Sequence, residues 1–63
     1  MVYSEAIKTL RKKLILSQTE FAKLLGVSYA AVKRWEFGHF EPTIKSKRKL
    51  APYFKKYKIE TDE

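Results

Sequence analysis

The sequence predicts an all-α protein, a compact bundle of four to five helices. Three observations carry that expectation. Apolar residues recur at steps of three and four, and no stretch sustains the alternation of a half-buried strand. Glycine and proline punctuate the chain only at Gly26, Gly38, Pro42 and Pro52. Residues that cap helix N-termini stand just ahead of the apolar-periodic stretches.

The first helix is expected after Ser4, a hydroxyl cap, with Glu5 at the positive helix end and Ile7, Leu10 and Leu14 in one apolar stripe. The second opens with "SQTE", in which Ser17 and Glu20 have the spacing of a reciprocal capping box. Phe21, Leu24 and Leu25 are expected to face inward, and Ala22 is small enough for close helix contact. Gly26 stands where a helix most readily ends in a left-handed residue. Ser28 can cap a third helix running to about Phe37, which Gly38 ends. Thr43 can cap a fourth, carrying Ile44, Leu50 and Ala51. Pro52 is uncomfortable in a helix interior, so either a kink or a short fifth helix is expected there, bearing Tyr53, Phe54 and Tyr57. Those three aromatics are read as packing over the first helix in preference to forming a dimer patch.

With 63 residues, 44% of them hydrophobic, the chain is expected to form one domain, residues 1–63, with little core to spare. It has no cysteine, so disulfides and thiolate metal sites are excluded. No apolar run approaches the roughly 18 residues of a membrane span, and the N-terminus lacks the order of a signal peptide. The expected setting is the cytoplasm, without membrane association.

Fourteen Lys and Arg against seven Asp and Glu give a formal charge of +7. Lys45, Lys47, Arg48, Lys49, Lys55, Lys56 and Lys58 form a block free of acids, and the chain turns acidic only at residues 60–63. One-signed blocks of this kind attract a polyanion, although a solvated lysine-rich face explains them equally well when taken alone.

The second helix, a "GVS" turn and the third helix make a helix-turn-helix of about residues 17–37. Ala22 is small where the helices cross, Gly26 turns the chain, and Val32 plugs the angle between them. "LSQTEFAKLLGVSYAAVKRWEFGHFEP" resembles the phage-repressor and Cro type, the xenobiotic-response-element family. The resemblance rests on the Ser-Gln opening, the Phe-Ala pair, Leu-Gly-Val-Ser, Trp-Glu, and the Gly before a Pro, and it implies a lambda-repressor-like fold. It further implies phosphate contacts from Gln18, Ser28, His39, Phe40 and Lys45, and a partly buried ion pair between Arg11 and Glu36. Two departures stand out. Ile15 occupies a position where the family tends to place glycine, and a β-branched residue resists a left-handed turn, so a different connection is expected. The chain also ends soon after Ile59, which argues against dimerisation through the longer C-terminal helix found in many family members.

On a wheel of about 100° per residue, Ser28, Val32 and Trp35 share one side of the third helix, with Ala31 at the margin. Tyr29, Ala30, Lys33 and Arg34 lie opposite, within about 140°. This face is shallow near the helix start and cationic one turn later. Such a helix suits a groove about 12 Å wide. Ala30 can touch a thymine methyl, Arg34 can make a two-pronged contact to guanine, and Tyr29 can reach a base edge or a phosphate. The inward phase of Trp35 assigns it to the core. His39 is the only histidine, which makes a metal site improbable.

The expected function is therefore sequence-specific recognition of double-stranded DNA by a small transcriptional regulator, a repressor of bacterial, phage or mobile-element type. A homodimer, at least on DNA, remains open, as do an antitoxin-like role with a protein partner and a recombination accessory role. No nucleophile–base–acid set, metal-ligand cluster or glycine-rich phosphate loop marks an enzyme, and no cofactor or small-molecule ligand is indicated.

Overall fold

The computed structural model describes residues 2–61. Four helices follow in order: α1 (Tyr3–Lys13), α2 (Gln18–Leu25), α3 (Tyr29–Phe37) and α4 (Ile44–Lys56). Both α3 and α4 pack against α1 and α2. Phe21, Ile7, Leu10, Leu50 and Val32 are the largest fully buried side chains, and Trp35, Leu25, Phe54 and Ile59 complete the core around them. Part of the expected acidic end, Asp62 and Glu63, lies outside the described residues; Glu60 is exposed.

The starts of α2, α3 and α4 follow the capping residues. Ser17 Oγ accepts from Glu20 N at 3.1 Å while Glu20 Oε1 accepts from Ser17 N at 2.9 Å, closing the capping box. Ser28 Oγ accepts from Ala31 N at 3.1 Å, and Thr43 Oγ1 from Ser46 N at 3.3 Å. Helix α1 begins two residues earlier than the Ser4 cap requires: Val2 precedes its first turn and no side chain caps it. Tyr3 instead packs its ring against Phe54, centroids 6.2 Å apart, so tertiary contact and not a hydroxyl fixes this end.

Three helices end with the same pair of backbone bonds, in which a left-handed residue and its successor close back onto the last turn. After α2, Gly26 at φ 69° donates to Lys23 O and Val27 to Ala22 O. After α4, Lys58 at φ 56° donates to Lys55 O and Ile59 to Phe54 O, which returns Ile59 to the core beside Phe54. After α1, Ile15 at φ 56° donates to Lys12 O and Leu16 to Arg11 O. The connection after α1 is thus left-handed after all, contrary to the expectation from its β-branched residue. The Ile15 side chain is 88% exposed and contributes no packing. Its conformation is held by these bonds, by Arg11 Nη1 donating to Leu16 O at 3.1 Å, and by the packing of Leu16 and Leu14 against the core.

Three inward assignments also change. Leu24 is exposed, because the buried side of α2 is centred on Phe21, Ala22 and Leu25 and Leu24 falls roughly 100° from that centre. Ile44 and Ala51 are exposed, since α4 turns Ser46, Leu50 and Phe54 inward. No fifth helix starts at Pro52, which lies inside α4. Pro52 is on the exposed side, where the Arg48 carbonyl it leaves unpaired can be hydrated.

Candidate nucleic-acid interface

Helix α3 buries Val32, Trp35 and Glu36 and leaves Tyr29, Ala30, Lys33, Arg34 and Phe37 exposed. The four residues of the proposed reading face therefore share one solvent side, and Trp35 belongs to the core. The only acid of α3, Glu36, is buried beside that face and neutralised. Arg11 holds it with two bonds, Nε to Oε2 at 2.7 Å and Nη2 to Oε1 at 3.0 Å, and Gln18 Nε2 donates to Oε1 at 3.2 Å. The hydrogen bond from Arg11 to Glu36 raises the arginine pKa further, against a smaller lowering by burial. One carboxylate thereby ties α1, the first residue of α2 and the last turn of α3 into a fixed arrangement.

That network bears on Gln18. One of its two amide N–H donors is committed to Glu36, which leaves the second and the unpaired backbone N–H at the start of α2 for a phosphate contact at this position. Ser28 is exposed and its hydroxyl oxygen caps α3. Neither α3 nor α4 carries an acid in its first turn, so both N-termini keep their partial positive charge. Lys45 is exposed at the second position of α4.

The loop from α3 to α4 is aromatic. His39 stacks on Phe37 with centroids 5.2 Å apart and planes at 22°, and the Arg34 guanidinium carbon lies 5.9 Å from the Phe40 ring centroid. Phe37 and Phe40 are 71% and 62% exposed. Phe37 had no assigned role in the sequence. The signal was present in the helix phase: seven residues after Ala30, a helix returns to within about 20° of the same direction.

Part of the basic block is engaged within the fold. Lys49 Nζ donates to Leu25 O at 3.0 Å, closing the carbonyl end of α2 from α4. Lys47 pairs with Glu41 at 3.2 Å and sits 4.6 Å from the Tyr3 ring centroid. Lys56 lies 5.7 Å from the centroid of Tyr57. Some of the charge that reads as a polyanion footprint is therefore structural. Among the described residues no group of three or more His, Cys, Asp or Glu could hold a metal ion, and no helix is long and apolar enough to cross a membrane.

A helix-turn-helix family model matches residues 7–60. The chain belongs to the Cro/C1-type helix-turn-helix family. Proteins of this type are DNA-binding regulators of transcription, and the all-α architecture with α2 and α3 as the motif is that of the family. No curated protein and no solved structure matched the chain significantly. The Cro/C1-type motif assigns α3 as the recognition helix, the element whose exposed face is described above.

Proposed function

We propose that this protein is a sequence-specific reader of double-stranded DNA that represses transcription by occluding its site. The observation that carries this reading is the exposed face of α3, where Tyr29, Ala30, Lys33 and Arg34 stand together and the single acid of the helix is buried and neutralised. Ala30 lets the helix approach the groove floor, the Tyr29 hydroxyl reaches a base edge or a phosphate, and Arg34 has the forked donor geometry that matches guanine O6 and N7. Lys33 contributes a cation at a base edge or an adjacent phosphate.

Register comes from the backbone of the duplex. The N-termini of α2, α3 and α4 offer N–H groups at Gln18, Ser28 and Lys45, and His39 and Phe40 present the loop to the next phosphates. Two copies on a two-fold symmetric site would space their α3 helices about 34–36 Å apart.

Selection of bound duplexes from a randomised library tests the proposal, followed by titration of the winning duplex and a scrambled one at two salt concentrations. Enrichment of one motif that keeps its advantage as salt rises is expected. Equal, steeply salt-dependent binding to both duplexes overturns base reading and leaves only electrostatic attraction.

A further inference from the structure

The reading face contains an apolar hollow. Ala30 forms its floor, Phe37 and the His39 stacked on it form a wall, and Lys33 and Arg34 stand at its edges. Phe37, 71% exposed and stacked on His39, stands with Phe40, 62% exposed, on either side of Arg34, so this face carries an apolar patch and not a single exposed side chain. The phase of Phe37 on α3 aligns it with Ala30 and Arg34, so whatever the face meets, Phe37 meets too.

An occupant must be apolar at its centre and surrounded by anions, because the hollow is apolar and its rim is cationic. The major groove offers one such group. Its base edges present hydrogen-bond donors and acceptors, and the only apolar projection among the four standard bases is the C5-methyl of thymine. We infer that the hollow is a subsite for a pyrimidine C5-methyl group, with Phe37 as its selecting wall. Arg34 is adjacent to the hollow and leans toward Phe40, so the methyl-bearing base is a near neighbour of the base that Arg34 reads. The same chemistry admits 5-methylcytosine, which carries its methyl at the same edge, so cytosine methylation at this position would strengthen binding. The inference rests on the proposed base reading and adds to it the class of base selected.

The test uses the duplex recovered by selection. Each thymine is replaced in turn by deoxyuridine, which removes only the methyl, and affinity is measured for the native protein, Phe37→Ala and Phe37→Leu. One replacement should weaken the native protein about fourfold, the worth of one buried methyl group. Phe37→Ala should lose that discrimination, binding the thymine and deoxyuridine duplexes within about 1.5-fold of each other, and Phe37→Leu, which keeps an apolar wall, should retain most of it. Placing cytosine and then 5-methylcytosine at that position should restore a preference for the methylated form. Indifference of the native protein to every replacement, or undiminished discrimination in Phe37→Ala, overturns the subsite and leaves base reading intact. Failure of selection to yield any preferred duplex overturns both.

Discussion

Arg11 Nε lies 2.7 Å from Glu36 Oε2, and the second arm of the same guanidinium lies 3.0 Å from Oε1. This fork joins residues 25 positions apart, and the Glu36 side chain retains only 5% exposure. Removing one partner strands a charge with little access to water. Glu36→Leu and Arg11→Met should each destabilise the fold by about 3 kcal/mol. Replacing both with apolar residues, Arg11→Met with Glu36→Leu, should cost less than the two single changes added together. Urea unfolding of the four proteins gives this cycle directly.

The capping box of α2 predicts a pH dependence. Backbone and side-chain hydrogen bonds from Ser17 hold the Glu20 carboxylate below its ordinary pKa. A depressed folded-state pKa contributes stability above the unfolded pKa and loses it as pH falls through the folded one. Glu20→Gln should therefore lose stability near neutral pH, with the gap to the native protein closing on acidification below the carboxylate range. Ser17→Ala, which keeps the backbone N–H that Glu20 accepts, should instead cost about 1 kcal/mol for the lost cap with little dependence on pH. Thermal unfolding followed between about pH 3 and 7 measures both effects.

Ile15 predicts a gain. Its φ of 56° costs a β-branched residue on the order of 1–2 kcal/mol, and its exposed side chain gives nothing back. Ile15→Gly relieves that strain and loses some unfolded-chain restriction in exchange. The net expectation is about 0.5–1 kcal/mol of added stability and a Tm several degrees higher, read by calorimetry with DNA affinity unchanged.

Two cations should separate by the kind of contact they make. Arg34→Ala should cost roughly 1–3 kcal/mol on the selected duplex and relax one base position, whereas Lys45→Ala should weaken all duplexes alike and reduce the salt slope by about one unit. Competition titrations over a range of salt distinguish them. An Arg34→Ala protein that binds the selected duplex as tightly as the native one would remove that side chain from the reading face.

Much of this arrangement was legible because it is written in local chemistry. Ser17 with Glu20, Ser28, Thr43 and the two glycines mark helix ends by hydrogen-bonding and φ requirements that act within a few residues. The phase of α3 follows from Val32 and Trp35 alone. What escaped the sequence depended on distant partners. Tyr3 overrides the Ser4 cap because Phe54 waits for its ring. The left-handed Ile15 is sustained by Arg11 and Leu16, not by its own preference. Lys49 looks like one more cation of a basic block until α2 is seen to end beneath it. Phe37 went unassigned because the helix was expected to stop there, at a position whose phase belongs to the proposed reading face.

The shared way of leaving α1, α2 and α4 has an evolutionary corollary. Gly26 fills its left-handed position without strain, whereas Ile15 and Lys58 fill theirs at a cost. Neither lies on α3. A substitution on the proposed reading face that alters which duplex is chosen, and weakens the fold in doing so, can be offset by a change at position 15 or 58. New DNA preferences are then reachable by pairs of substitutions that never meet in space. The strained exits act as a reserve of stability from which the specificity of this small protein can drift.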